Sequence, residues 1–246
     1  MRTYKMTINY DGSQYQGWQR QVNTNATIQW VLEWTIGKLM GYCVKVDASG
    51  RTDSGVHAKG QVATVELSGA VDEIEFRHSL NLHLPEDIKV TKVELVKGGF
   101  HARRNATGKC YEYLLDQREK PDVFMRRYCY HYPKELDLEA MREACKYLIG
   151  RHDFKSFTDK KNHKSTVRSI TNITIEQLEQ QKVKICYQGT GFLYHMVRIL
   201  MGTLLEVGSG QRNPRDMQTI LEGQERALAG YLAPARGLTL KEVYYQ

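Results

Sequence analysis

The chain lacks the spacings by which most metal and redox sites announce themselves. It has no C-x-x-C, and its five cysteines (Cys43, Cys110, Cys129, Cys145 and Cys186) are odd in number and scattered over 246 residues. That pattern fits reduced thiols in a reducing compartment and not a structural zinc site. There is no H-E-x-x-H and no EF-hand loop, the eight histidines do not cluster with acids, and no D-x-D pair occurs, which weakens two-metal and aspartyl-phosphate chemistry. No apolar run is long enough to span a membrane. The N-terminal stretch MRTYKMTINY has no apolar signal-peptide core, so the cytoplasm is the expected compartment. A Pro- or Ser-rich linker is missing too.

What is present is a globular composition, 41% hydrophobic and 26% charged, with enough aromatics to argue against disorder. Lysine and arginine outnumber aspartate and glutamate 35 to 28, and the net charge of +7 favours a polyanionic partner. Residues 3–10 alternate as a strand with Tyr4, Met6, Ile8 and Tyr10 on one face. TIQWVLEWTIGKLMG places Ile28, Val31, Leu32, Thr35, Ile36, Leu39 and Met40 at helical spacing, with Gly41 as the stop. Strands are expected at 43–48 and 61–67, a helix capped by Asp72 with Ile74, Phe76 and Leu80 as its apolar positions, and a strand at 87–96. The order β-α-β-β-α-β is the ferredoxin-like signature.

The second half repeats that grammar loosely. KCYEYLLD and RYCYHYP are expected strands, and Asp137 caps a helix carrying Leu138, Met141, Ala144, Cys145, Leu148 and Ile149 up to Gly150. SITNITIEQ and KVKICYQG are two more strands, and FLYHMVRILMGTLLEVG (192–208) is a helix apolar on nearly all sides. A short helix is expected from Asn213-Pro214, and LTLKEVYY is the last strand. The fold expected is α+β, two ferredoxin-like (RRM-like) halves with antiparallel sheets, residues 1–105 and 106–246, flanking a basic cleft.

Two basic stretches interrupt the periodicity. KSFTDKKNHKSTVR (155–168) carries Lys155, Lys160, Lys161, Lys164 and Arg168 with no apolar stripe, and is either a solvated loop or an arm that grips phosphates. KGGFHARRNATGK (97–109) brings Arg103, Arg104 and Lys109 to where the halves meet.

The stretch DASGRTDSGVHA (47–58) crowds Arg51, Asp53 and His57 about two glycines, Gly50 and Gly55. Val56-His57 stands where a phosphate loop needs Lys-Ser/Thr, and Ser54 lacks the flanking glycines of a nucleophile elbow. Two readings of Asp53 stay open on spacing alone. It is a turn residue bonding its own backbone with Arg51 as a surface ion pair, or an ionised carboxylate positioned as nucleophile or base.

GRTDSGVHA (50–58) resembles the active-site signature of the tRNA pseudouridine synthase A family. YDGSQYQGWQRQ (10–21), FHARRNATGKCYEY (100–113), DFKSFT (153–158) and FLYHMVRILMGTLLEVG (192–208) resemble other blocks of that family in the same order, so the likeness covers nearly the whole chain. Trp30 departs from it, standing where a small residue is expected on the first helix. The resemblance implies that Asp53 is the nucleophile toward a flipped uridine in the anticodon stem-loop of tRNA, and that Arg51 pairs with it and helps hold the nucleotide. It implies that Tyr111 packs on the uracil, that Arg198 completes the cleft, and that the protein works as a homodimer with no metal or cofactor and no membrane.

Blander roles stand beside these. Tyr111 on a strand and His195 on an apolar helix suit core positions, His57 and His101 suit loop backbone, and Trp18 suits a strand end. A buried Arg198 needs a partner whatever its function, and Arg20 is a candidate phosphate contact. The competing function is a non-catalytic RNA-binding protein with RRM-like halves, but the aromatic run of an RNP1 strand is missing. A metal-dependent nuclease lacks its clustered carboxylates.

Overall fold

The computed structural model describes residues 1–160 and 165–246, so Lys161 and Lys164 of the basic stretch lie outside the described residues. The fold is mixed α/β with five α-helices among those residues. The chain divides into two compact units, Met1–Thr107 together with Thr239–Gln246, and Gly108–Leu238. The closing strand thus belongs to the first unit, whereas the sequence placed it with the second half.

In the first unit the order is β1 (Arg2–Tyr10), α1 (Ile28–Met40), β2 (Val46–Ala48), β3 (His57–Leu67), α2 (Glu73–His83) and β4 (Ile88–Val96). Strand β1 pairs antiparallel with β3 and with β4, and β2 pairs antiparallel with the far side of β3. A later strand, Leu238–Tyr245, adds to β3 in parallel through Thr239 and Leu240. Alternation puts Tyr4, Met6, Ile8 and Tyr10 in the core, and α1 buries Ile28, Leu32 and Ile36. Thr27 caps α1 by accepting from the Trp30 N–H, and Asp72 caps α2 by accepting from the Ile74 and Glu75 N–H groups. Ile74, expected as an apolar anchor, is 70% exposed; α2 buries only Phe76 and Leu80, one turn apart. Strand β3 begins at His57, four residues earlier than expected, so the GRTDSG turn runs directly into it.

The second unit runs β5 (Ala106–Asp116), β6 (Tyr130–His131), α3 (Leu138–Leu148), β7 (Gly150–Asp153), β8 (Val167–Leu178), β9 (Lys182–Gly189), α4 (Met196–Gly208) and α5 (Asp216–Gly223), so the closing strand is β10. Strands pair in the order β5–β9–β8–β7, all antiparallel, with β6 parallel to the end of β5. Asp137 caps α3 through the Ala140 N–H, and α3 buries Met141, Ala144, Cys145 and Leu148 against the almost wholly buried α4.

Several local expectations change. RYCYHYP gives only a two-residue strand, because the N–H groups of Tyr128 and Cys129 turn back to the Met125 carbonyl. Ile149 does not join the α3 stripe but is 42% exposed at its end, and Gly150 opens β7, which the sequence did not reveal. Helix α4 starts at Met196, four residues late, since His195 sits at φ 63° and cannot continue a helix. Helix α5 starts at Asp216, after a turn about Pro214 in which the Asp216 carboxylate accepts from the Asn213 N–H and the Asn213 side chain accepts from the Arg215 N–H. The basic stretch is not wholly a solvated loop: Ser156, Phe157 and Thr158 are buried, and Ser156 donates to the Ile220 carbonyl at 2.6 Å.

The end of β5 is fixed by charge. Asp116, only 2% exposed, accepts two bonds from the Arg118 guanidinium, both at 2.8 Å, and one from the Asp122 N–H. These bonds, Arg118 first, outweigh burial and hold its carboxyl well below the usual carboxylate range. Asp116→Asn should therefore cost about 1.5–3 kcal/mol at neutral pH. A native pKa below the unfolded value gives stability that is complete above about pH 4 and is lost as the pH falls through the native value. Urea unfolding of both proteins at neutral and acid pH checks this, and a gap that does not shrink on acidification would remove the charge from the explanation.

Candidate active site

Asp53 lies on the turn between β2 and β3. Gly55 takes φ 77° there, while Gly50 does not enter the left-handed region. Arg51 is exposed, Thr52 is buried, and Asp53 is half-buried, so burial alternates along the run. Thr52 is held from beneath: its Oγ1 is 2.8 Å from the Tyr10 hydroxyl, and its carbonyl accepts from the Trp18 N–H at 3.1 Å. Gln61, on β3 and fully buried, donates from Nε2 to the Gly50 carbonyl (2.9 Å) and to the Tyr10 hydroxyl (3.4 Å). Its Oε1 accepts from Ser49 Oγ at 2.9 Å and from the Val62 N–H at 3.2 Å. Burial pushes the Tyr10 hydroxyl up to about 12 although its bonds to Thr52 and Gln61 pull the other way, so it stays a neutral hydroxyl at physiological pH.

The segment Asp11–Arg20 lies across this turn as a strap. The Gly55 N–H and the Ser54 hydroxyl both donate to the Tyr15 carbonyl. Gly12 and Gly17 mark the closest approach. A Cβ on Gly12 would stand 2.1 Å from the Val56 carbonyl oxygen, and one on Gly17 would stand 2.7 Å from the Thr52 carbonyl oxygen, with Gly17 also at φ 86°. Tyr15 ties the strap to the start of β4, donating to Asp87 at 2.6 Å. At its far end the strap feeds α1, where the Ile28 and Gln29 N–H groups donate to the Gly17 and Trp18 carbonyls.

His57, buried at the start of β3, has Nδ1 3.1 Å from both the Gly12 N–H nitrogen and Asp11 Oδ1. One nitrogen cannot serve both at once: unprotonated, it accepts from Gly12; protonated, it donates to Asp11. Either way His57 is a strap contact. Arg20 gives NH1 to Glu33 at 3.1 Å, so this candidate phosphate contact is partly occupied within the fold. His101 Nδ1 accepts from the Arg103 N–H, and Arg103 and Arg104 are exposed on that turn. Trp30 stacks on Trp34 at 5.9 Å on the outer face of α1, with Lys38 Nζ 4.0 Å from the Trp34 ring; the residue that departs from the family pattern is on the surface of the helix.

The second unit holds the other candidates. Tyr111 on β5 faces Tyr187 in register, is 8% exposed, and meets Phe192 edge-on at 5.3 Å. Arg198, in the first turn of α4, is half-buried and donates Nε to the Ala233 carbonyl at 2.7 Å. The α4 entry is fixed by Asp159, which accepts from His195 Nδ1 at 2.5 Å and Arg226 Nε at 2.7 Å. Burial alone would raise the Asp159 carboxyl, but His195 and Arg226 together hold it below the usual range. His195 also stacks on Tyr194, at 3.6 Å between ring centres. Lys160 is exposed, Lys109 on β5 is half-buried, and Arg168 donates to the Ser165 and Val167 carbonyls. Asp159, His195 and Arg226 as a set, and Gln61 under the turn, were not found from the sequence; only folding brings such distant residues together. Among the described residues, no group of three or more His, Cys, Asp or Glu side chains is gathered as a metal site.

The sequence profile of the tRNA pseudouridine synthase family matches residues 6–103 and 144–246. The chain is 45% identical over 246 residues to tRNA pseudouridine synthase A 2 of Clostridium perfringens (strain 13 / Type A), covering all of both chains. It is 43% identical over 246 residues to tRNA pseudouridine synthase A of Bacillus sp. (strain KSM-64), again covering all of both. Among solved structures, an H/ACA ribonucleoprotein bound to a substrate RNA containing 2'-deoxyuridine matches 82% of this chain and 44% of its own, at 15% identity and a TM-score of 0.38, too distant to bear on this chain's chemistry.

The fit of strap to turn has a direct test. Gly17→Ala must move the Thr52–Ser54 backbone or strain its own, at a cost of about 1–3 kcal/mol. We expect a lower melting temperature and reduced turnover on tRNA. A variant with wild-type stability would show that the strap does not rest on the turn.

Proposed function

We propose that Asp53 is the nucleophile of this chain, which belongs to the tRNA pseudouridine synthase family and isomerises uridine to pseudouridine in tRNA. The observation that carries the proposal is the presentation of Asp53 on a turn locked from below by Thr52 and from above by the strap, with Arg51 exposed beside it. The reaction breaks the N1–C1′ bond, turns the uracil and closes a C5–C1′ bond; the proton on C5 is lost and N1 gains one, so the atoms balance without a group donor. A carboxylate can open this sequence at C1′, at C6 or by elimination, and each route starts from the same oxygen pair.

In this reading the target is a uridine of the anticodon stem-loop, extruded at a cost of a few kcal/mol. Tyr111 covers the extruded uracil, and stacking of about 1–3 kcal/mol per base offsets the extrusion. Arg198 and Arg51 hold the flipped nucleotide. Arg103, Arg104, Lys109, Lys160 and Arg168, with Lys161 and Lys164, supply phosphate affinity, and Arg20 does so with the part of its guanidinium that Glu33 leaves. Each unit is read as a ferredoxin-like half; in the first, the element order and the all-antiparallel strand order β4–β1–β3–β2 support this. The protein is read as a cytoplasmic homodimer; no helix of the described residues is long and apolar enough to cross a membrane.

Pseudouridine mapping in tRNA after incubation with the enzyme tests the target. We expect modification within the anticodon stem-loop; modification confined to another arm would overturn it. Since one carboxylate contributes little to phosphate affinity, Asp53→Ala should bind tRNA within about twofold of wild type, with affinity falling steeply as salt rises. A tenfold loss of binding would make Asp53 a binding residue.

A further inference from the structure

The turn that presents Asp53 is fixed by a buried polar chain that the family signature does not explain. Gln61 is fully buried and uses its whole amide: Oε1 accepts from Ser49 and the Val62 N–H, and Nε2 donates to the Gly50 carbonyl and the Tyr10 hydroxyl. An amide nitrogen only donates, so Tyr10 accepts from Gln61, and its hydroxyl makes a second bond with Thr52 Oγ1, 2.8 Å away, in which either oxygen can be the donor. Thr52 stands between Arg51 and Asp53 in the chain. Pinning the buried Thr52 side chain pins the backbone that carries both neighbours. The chain of bonds therefore joins the end of β1 and the body of β3, both rigid core strands, to the middle of the turn.

We propose that Gln61, Tyr10 and Thr52 are positioning residues that hold the Asp53 carboxylate in register with the flipped uridine. This rests on the assignment of Asp53 as the nucleophile. None of the three is required to touch the substrate. A misplacement of about 1 Å in a reacting group can lower a rate about a hundredfold while leaving binding intact, and that split separates positioning from recognition. Burial matters as well: in a water-free site no solvent molecule replaces a lost bond, so the turn relaxes.

Thr52→Val keeps the shape of the side chain and removes its hydroxyl. Gln61→Glu keeps the acceptor and removes the donor. Tyr10→Phe removes the link between them. For each, turnover on tRNA is measured as kcat and KM, tRNA affinity directly, and folding by the melting temperature; Thr52→Ser, which restores a hydroxyl, serves as the rescue. We expect kcat to fall tenfold or more in Thr52→Val with KM and tRNA affinity within about twofold, recovery in Thr52→Ser, and non-additive losses when Tyr10→Phe and Thr52→Val are combined. A wild-type kcat in folded Thr52→Val and Tyr10→Phe would overturn the inference, as would equal losses in kcat and affinity. If Thr52→Val or Tyr10→Phe melts below the assay temperature, Gln61→Glu decides: a rate that follows only the folded fraction overturns positioning. Asp53→Asn in the same assay separates the two levels. If it is inactive while Thr52→Val is normal, only the positioning role falls; if it turns over like wild type, the Asp53 assignment falls and takes this inference with it.

Discussion

The close approach of the strap Asp11–Arg20 to the backbone of the Thr52–Val56 turn is the contact that fixes the turn carrying Asp53. It leaves no room for side chains at Gly12 and Gly17, so two stretches far apart in sequence meet backbone to backbone. The strap is itself fixed at both ends, by Tyr15 on Asp87 and by the carbonyls that receive the first N–H groups of α1. A polar turn held only by its own bonds would sample many shapes. Clamped between strap and core, it presents one.

Charge in this protein is divided between internal and solvent-facing work. Arg118 is committed to Asp116 and Asp122, Arg212 to Glu206, and Arg226 to Asp159, each in a partly buried pair where a lost partner is costly. Arg20 is shared between Glu33 and solvent. Arg51, Arg103, Arg104 and Lys160 are exposed, which is where a polyanion can reach them. The net charge of +7 counts all of these together, and the structure sorts them.

Much of the framework was legible because it rests on local rules. Alternation gave β1 and its buried face, helical spacing with the Gly41 stop gave α1, and the caps Asp72 and Asp137 bond as their side chains predict. The signature about Asp53 was visible for what it contains, but not for what holds it. Tyr10 reads as a core strand residue, and nothing local says that its hydroxyl meets Thr52, 42 positions away. The same holds for Arg226 and Asp159, 67 positions apart. Errors gathered where a backbone conformation or a turn overrode a side-chain pattern. His195 at positive φ delayed α4, a turn at Met125–Cys129 cut a strand short, and Ile74 was stranded on the outer face of α2.

The role of Asp53 is tested most directly by tritium release from tRNA carrying C5-labelled uridine, followed in a single turnover with saturating Asp53→Asn. Saturation removes binding from the comparison and leaves only the chemistry of the carboxylate. We expect no release above background over times in which the wild-type protein completes its turnover. Release at the wild-type rate would contradict the assignment.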